Sequence, residues 1–157
     1  MTMVANIARF LQYGVHSSLA EKAVNAGITT TKVRALSQKD MILKFGFTKI
    51  EAKFLKTAVV RAPIEKKVLN LLLRNSNFVC NICKGQKSSA FIVHHIEEYE
   101  KTQNNSYENL IVLCPNDHDS AHHRGLSLQI TKEQLRESKS DWEEQVKVNN
   151  AQTAIKQ

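Results

Sequence analysis

A single 44-residue window, Cys80 to His123, holds most of the metal-binding side chains of this chain. It contains all three cysteines and five of the six histidines. Side chains that share a metal ion have to converge in space, so such a window constrains the fold strongly. The candidate residues are, in order, Cys80, Cys83, His94, His95, Asn109, Cys114, Asp117, His118, His122 and His123. Their order predicts two sites, a structural zinc knuckle and a metal-dependent phosphodiesterase centre.

The length and the cysteine count restrict the class of protein. A chain of 157 residues allows one ordinary domain or two small ones, and a metal ion would help to stabilise a small one. The odd number of cysteines and the absence of a signal-peptide pattern in residues 1–15 favour reduced thiols and a cytoplasmic location. No segment approaches the roughly 18 consecutive apolar residues of a membrane helix, so we expect a soluble protein.

The net charge of +7 is distributed unevenly along the chain. Residues 1–75 contain 13 Lys and Arg against 4 Asp and Glu, a net charge of +9. Residues 76–157 contain 9 against 11, a net charge of −2. This asymmetry favours a basic region that holds a polyanion, joined to a metal-site region that acts on it. The alternative is a lysine-rich helix surface that is merely solvated.

The first 75 residues have a helical pattern throughout. Apolar residues recur at spacings of three and four, Gly14 and Gly27 follow two helices, and Thr48 with Glu51 forms a capping box. The predicted helical segments are Val4 to Tyr13, Leu19 to Ala26, Ser37 to Gly46, Lys49 to Arg61 and Ile64 to Arg74. We therefore predict an all-α basic region over residues 1–75.

Residues 76–150 have the pattern of a small α+β domain. Pro115 stands at the first position of a predicted helix that carries His118 and His122, and Thr131 with Gln134 caps a final helix. The predicted strands are residues 91–96, 109–113 and 126–130, with a further short strand before Cys80. We expect residues 151–157 to form a frayed tail.

The second half of the chain resembles the HNH endonucleases. The motif residues, with 13, 8 and 3 residues between them, are His94-His95, Asn109, His118 and His122. The paired histidines are similar to those of the colicin-type DNases, and Cys80-x2-Cys83 with Cys114 resembles the zinc-bracketed varieties of the family. The resemblance covers residues 78–123 and implies a ββα-metal fold with one catalytic metal ion.

The two adjacent histidines must have different roles. Neighbouring residues on a strand point to opposite faces, so His94 and His95 cannot both bind one ion. His118 and His122 are four residues apart on a predicted helix and share a face. We predict that His94, His118 and His122 bind one divalent ion, Mg²⁺, Mn²⁺, Ni²⁺ or Zn²⁺, and leave positions open for water and a phosphate oxygen.

His95 is then the candidate general base. A neutral imidazole with a pKa of about 6.5 can take a proton from the water that attacks phosphorus. The resemblance implies that Asn109 holds the loop between the strands and so positions His95. Arg124 is a candidate phosphate contact. We expect products with 5′-phosphate and 3′-hydroxyl ends.

The cysteines predict a second, structural site. Three soft thiolates suit tetrahedral Zn²⁺ and make a poor magnesium site. Cys80 and Cys83 come from one turn, and Cys114 supplies a third ligand. The family pattern usually has Cys or His three residues further on, where this chain has Asp117, so we predict a Cys3Asp site. The alternatives for the fourth ligand are His118 and His123.

Two segments of the basic region, residues 23–36 and 42–55, faintly resemble helix-hairpin-helix elements, in which turn amides bind backbone phosphate. Threonine replaces the second glycine of that motif in both. The alternative is a helical bundle without DNA contacts. The candidate phosphate contacts are Lys49, Lys53 and Lys56, which share one helical face.

These patterns together predict a metal-dependent DNA endonuclease, in a setting such as restriction or anti-phage defence. The first alternative is a non-catalytic zinc-ribbon module that binds DNA and needs only the cysteine site. The second is an RNase or toxin that applies the same chemistry to RNA. The sequence leaves the oligomeric state open, with a homodimer among the alternatives.

Overall fold

A computed structural model describes residues 2–122 and 129–157 of the chain. The chain divides into two compact units between Glu65 and Lys66. The first unit is helical, as the apolar periodicity predicts. Its helices are α1 (Met3–Gln12), α2 (Ser17–Asn25), α3 (Thr30–Ala35), α4 (Gln38–Phe45) and α5 (Lys49–Ala58).

The first unit contains two helix pairs, α2–α3 and α4–α5, that are joined by the same type of turn. Gly27 and Gly46 adopt the left-handed conformation, with φ of 73° and 72°, which glycine reaches without steric cost. Each is followed by a buried apolar residue, Ile28 or Phe47, and then by a threonine that caps the next helix. The predicted capping box of Thr48 with Glu51 is present at the start of α5. Each of the two segments that resemble helix-hairpin-helix elements therefore consists of two helices joined by a short turn.

The second unit combines a two-stranded ribbon with helices. The strands β1 (Ile92–His95) and β2 (Leu110–Leu113) are antiparallel, with His94 opposite Ile111 and His95 opposite Leu110. The strands predicted at residues 91–96 and 109–113 are thus confirmed, and the helix α8 (Pro115–His122) begins at Pro115, as predicted. The elements are α6 (Lys66–Asn75), β1 (Ile92–His95), α7 (Tyr99–Thr102), a 3₁₀ turn (Tyr107–Asn109), β2 (Leu110–Leu113), α8 (Pro115–His122) and α9 (Lys132–Ile155). The α+β class and the ββα arrangement agree with the sequence.

Helix α6 belongs to the second unit, although the change in sequence pattern predicted a boundary near residue 75. It contacts β2, the 3₁₀ turn and α9, and its buried leucines, among them Leu69 and Leu72, face these elements. Helical periodicity identified the helix but not its packing partner. The first unit, counted to Glu65, has 10 basic and 4 acidic residues and a net charge of +6.

Helix α9 packs against the rest of the second unit through contacts between residues that are far apart in the sequence. Leu135 and Val146 are buried, and the Trp142 indole donates a hydrogen bond to the Ser76 carbonyl at 2.8 Å. The Lys139 ammonium donates to the Tyr107 carbonyl at 2.6 Å and lies over the Tyr107 ring. The helix continues to Ile155, through most of the segment expected to be frayed.

The short strand predicted before Cys80 is absent. Asn77 and Phe78 have φ of 55° and 59°, so the chain turns in the left-handed region where an extended strand was expected. The Phe78 N–H donates a hydrogen bond to the Leu73 carbonyl, so the chain folds back against the end of α6. Most of the strand predicted at residues 126–130 lies outside the described residues. Within residues 2–122 and 129–157, no helix has the length and apolar character that crossing a membrane requires.

Candidate functional site

Three histidines converge where α8 packs on the ribbon. His94 comes from β1, and His118 and His122 come from successive turns of α8. One ring nitrogen of each lies within 4.8 Å of the others, and the Nε2 atoms of His118 and His122 are 3.1 Å apart. The rings meet edge to face, with centroids 4.5 to 5.2 Å apart. The structure thus brings together the three residues predicted to bind the catalytic metal ion.

The environment of His94 favours its neutral form. Its side chain is buried, and burial together with the neighbouring His118 and His122 lowers its pKa to about 3. A neutral imidazole keeps a nitrogen lone pair, which is the form that binds a metal ion. The cluster therefore has donor chemistry that fits a divalent ion with imidazole ligands.

His95 is not a member of this cluster. It is the last residue of β1 and is half-buried, and its Nε2 atom lies 2.7 Å from Oδ1 of Asn105. Its ring also contacts the Tyr99 ring, with centroids 5.2 Å apart. The pleat of the strand thus separates the two adjacent histidines, as predicted.

Asn109 ties together the loop between the strands. Its Oδ1 accepts from the Glu97 N–H at 2.7 Å, while its Nδ2 donates to the carbonyls of Glu97 and Asn104 at 3.0 and 2.9 Å. The side chain is buried, so these bonds are shielded from water. Asn109 therefore holds the loop at both ends, in the manner that the family resemblance implies.

A cavity of about 240 Å³ opens beside the histidines. His94, His95 and His122 line it, together with Lys132 at the start of α9. The Lys132 ammonium is 2.6 Å from a Glu97 carboxylate oxygen. Sequence reasoning missed Lys132 because it lies ten residues beyond the motif and reaches the cavity only when α9 packs against the ribbon domain.

The cysteines form a separate cluster with Asp117. One ligand atom each of Cys80, Cys83, Cys114 and Asp117 lies within 4.8 Å of the others. Oδ2 of Asp117 accepts from the Cys80 thiol at 3.2 Å and from the Cys114 thiol at 3.4 Å. All four residues are inaccessible or nearly so. A buried set of three thiols and one carboxylate oxygen fits tetrahedral Zn²⁺.

Lys87 is the charged neighbour of this cluster and was not identified from the sequence. Its ammonium bonds to the second carboxylate oxygen of Asp117 at 2.5 Å. Burial alone would raise the pKa of Asp117, but Lys87 and the two thiols that donate to it bring the pKa below its ordinary value. Asp117 is therefore held as a carboxylate, the form that can bind Zn²⁺.

The thiols differ in their ionisation. Burial raises the pKa of Cys80 and of Cys114. Burial would raise the pKa of Cys83 as well, but the backbone N–H groups of Lys87 and Gly85 bring it below its usual value. Cys83 is therefore the thiol that most readily provides a thiolate.

Helix α8 explains why two clusters can arise from one short segment. Asp117 and His118 are consecutive on the helix and point in different directions, so Asp117 joins the cysteines and His118 joins the histidines. Geometry thus favours Asp117 over His118 as the fourth zinc ligand. The other alternative, His123, and the predicted phosphate contact Arg124 lie outside the described residues.

The three lysines predicted to contact DNA have different environments. Lys49 and Lys53 are exposed on α5. The Lys56 ammonium, in contrast, donates to the carbonyls of Val33, Arg34 and Leu36 at the end of α3, at 2.8 to 3.0 Å. All three of its N–H groups are used, so the prediction of a phosphate contact by Lys56 is not supported. The long side chain reaches α3, which a helical-face argument cannot anticipate.

A ribbon and a helix around a cluster of histidines define the ββα-metal class of nuclease fold. Residues 79–124 match the family model of the HNH endonucleases, so this segment of the chain is an HNH endonuclease domain. The match covers all residues of both clusters. The similarity to the colicin type remains a resemblance in the paired histidines. No curated protein and no solved structure matched the chain.

Proposed function

We propose that this protein is a metal-dependent endonuclease that hydrolyses phosphodiester bonds of DNA. The observation that carries the proposal is the convergence of His94, His118 and His122 beside a cavity, with His95 next to them but outside the cluster. A zinc-ribbon binding module needs only the cysteine cluster, so it gives no reason for the second set of ligands. The HNH domain supports nuclease chemistry in general.

The histidine cluster would hold one divalent ion, Mg²⁺, Mn²⁺, Ni²⁺ or Zn²⁺. When bound, such an ion stabilises the negative charge on the phosphoryl oxygens and on the leaving 3′-oxygen. His94 contributes a buried, neutral imidazole, while His118 and His122 contribute the two ligands of α8. Burial fixes the position of His94, whereas His118 is half-buried and His122 is exposed.

His95 takes the proton of the attacking water in this proposal. It lines the same cavity as His94 and His122, so a phosphate in the cavity lies within reach of both the base and the ligands. Attack from the side opposite the 3′-oxygen releases 5′-phosphate and 3′-hydroxyl ends. Asn109 supports the reaction indirectly, because it holds the loop that contacts His95.

The cysteine cluster is proposed to bind a structural Zn²⁺. Cys80 and Cys83 lie between α6 and β1, whereas Cys114 and Asp117 lie at the start of α8. One ion bound by these four residues would link the segment between α6 and β1 to the start of α8. Such a cross-link would contribute to the stability of a small domain.

The first unit is proposed to bind the DNA backbone without sequence preference. It carries a net charge of +6 and exposes Lys49 and Lys53 on one face of α5. The turn before α5 is occupied by the Glu51 carboxylate, which accepts from the Thr48 N–H at 2.8 Å and pairs with Lys22. A phosphate at that turn would meet a negative charge, so the lysine side chains, and not the turn amides, are the contacts we propose.

Cleavage of plasmid DNA and of RNA in the presence of Mg²⁺, Mn²⁺, Ni²⁺ or EDTA tests the proposal. We expect nicked or linear DNA with at least one metal ion, no cleavage in EDTA, and no cleavage by a His118→Ala/His122→Ala variant. DNA binding without cleavage under every condition would support the zinc-ribbon module. Cleavage of RNA alone would support the RNase alternative.

A further inference from the structure

We infer that the side chain of Asn105 is a positioning residue that fixes the proton of His95 on Nε2 and so assigns the role of base to Nδ1. This inference rests on the proposed function. The contact that carries it is the 2.7 Å approach of Asn105 Oδ1 to His95 Nε2. Neither the motif spacing nor the family match assigns a role to Asn105, which lies between two motif residues.

The loop around Asn105 is held on both sides. On one side, the Asn104 carbonyl accepts from Nδ2 of Asn109 at 2.9 Å, and the Asn104 side chain accepts from the Ser106 N–H at 2.9 Å. On the other side, the Ser106 carbonyl accepts from the Asn109 N–H at 3.0 Å. The backbone that carries Asn105 is therefore fixed by Asn109. Asn109 therefore acts on His95 through Asn105.

The chemistry of the contact determines the tautomer. A neutral imidazole has one N–H and one lone pair, and an amide oxygen can only accept a hydrogen bond. With the Asn105 oxygen at Nε2, the proton stays on Nε2 and the lone pair is on Nδ1. The Tyr99 ring, 5.2 Å from the His95 ring, opposes rotation of the imidazole away from this position.

The proton inventory of the reaction is then complete. The oxygen of water forms the new bond to phosphorus, the bond from phosphorus to the 3′-oxygen breaks, and the water proton passes to Nδ1 of His95. The resulting imidazolium still donates its Nε2–H to Asn105. The leaving 3′-oxygen takes a proton from solvent, and Nδ1 returns its proton to solvent before the next cycle.

The first test observes the tautomer directly and does not depend on activity. Nitrogen-15 NMR of the full 157-residue chain, loaded with Zn²⁺, distinguishes an Nε2–H from an Nδ1–H imidazole at His95. We expect Nε2–H in the wild type and a mixture of tautomers in Asn105→Ala. An Nδ1–H wild type, or an identical tautomer in Asn105→Ala, would overturn the inference.

The second test separates orientation from substrate binding. Asn105→Ala should lower kcat with little change in KM, by about 10- to 100-fold if the loss equals that found when the hydrogen-bond partner of a metal-binding histidine is removed. Asn105→Asp retains an accepting oxygen and should restore most of the activity at pH 8. Asn150→Ala, the same change on the exposed end of α9, is the matched control and should leave kcat unchanged.

The two tests distinguish failure of the inference from failure of the proposed function. An active wild type with an unchanged Asn105→Ala variant overturns the inference alone. A wild type that cleaves no nucleic acid with any metal ion overturns the proposed function, and the catalytic role of Asn105 with it. Melting temperature and zinc content of each variant exclude loss of fold as the cause of lower activity.

Discussion

His94 and His95 are adjacent in the sequence but occupy different environments, so their removal should have different consequences. His95→Ala should lower kcat by about 10²- to 10⁴-fold, the range for loss of a general base, without weakening metal binding. His94→Ala removes a ligand, so a higher Mn²⁺ concentration should restore part of its activity. Cleavage kinetics across a Mn²⁺ titration measure both effects. Identical metal dependence of the two variants would contradict this division of roles.

Acid should destabilise the metal-free protein through His94. The pKa of this group is lowered from 6.5 to about 3 in the folded state, chiefly by burial. The unfolded chain therefore binds the proton first as the pH falls below 6.5, and the free energy of unfolding decreases until the pH reaches about 3. Above pH 6.5 this group contributes no pH dependence.

Urea unfolding in EDTA at pH 7 and pH 5 measures this effect. A His94→Asn variant has no titrating group at this position and should lose less stability between the two pH values than the wild type. An equal loss in both proteins would show that other groups account for the acid sensitivity.

Spacing and ligand chemistry grouped most of the metal-binding candidates, but they left the fourth ligand of the cysteine cluster open. Strand alternation separated His94 from His95, and helical periodicity paired His118 with His122, because both rules act over a few residues. Asn105 and Lys132 could not be found in this way. Their contacts depend on the path of a loop and on the packing of α9, which no local pattern specifies.

At the scale of elements, the cysteine cluster with Asp117 connects the start of α8 with the segment before β1. Cys80→Ser should release one zinc ion per chain and lower the melting temperature, because ligand binding is coupled to folding in small metal-stabilised domains. His122→Ala should retain that ion, since His122 belongs to the other cluster. Elemental analysis of the purified proteins measures the zinc content. A wild type without zinc, and with unchanged stability in chelator, would contradict the site.

Most elements could be predicted because their signals are local. Apolar periodicity, capping residues and β-branched runs identified both ribbon strands and most helices within a few residues, but they gave no bounds for the short helices α3 and α7. The strand expected before Cys80 was wrong because the end of α6 continues into left-handed residues at Asn77 and Phe78. Neither residue is glycine, so the residue types did not indicate a turn with positive φ at this position.

For the whole molecule, the charge asymmetry predicts salt-dependent DNA binding. Each phosphate contact contributes about −0.9 to the slope of log affinity against log salt on duplex DNA. A Lys49→Gln/Lys53→Gln variant should flatten that slope by about one unit per true contact. Cleavage at saturating DNA should survive, since neither residue belongs to the HNH domain.

Lys56→Gln is the matched control from the same helix. Its ammonium caps α3, so the change should lower the melting temperature of the protein and leave the salt slope as in the wild type. Fluorescence anisotropy of a labelled duplex at several salt concentrations measures the slope. If the double variant has the wild-type slope, the exposed face of α5 does not contact DNA.

Trp142 is the only tryptophan of the chain, and its indole N–H bonds to the carbonyl of Ser76, 66 residues earlier. The emission of this single fluorophore thus depends on whether α9 is packed beside the end of α6. The first unit contributes no tryptophan signal. Intrinsic fluorescence therefore follows the unfolding of the second unit alone, and circular dichroism follows helices in both units. Transitions that differ between the two probes would show that the two parts of the protein unfold as separate cooperative units.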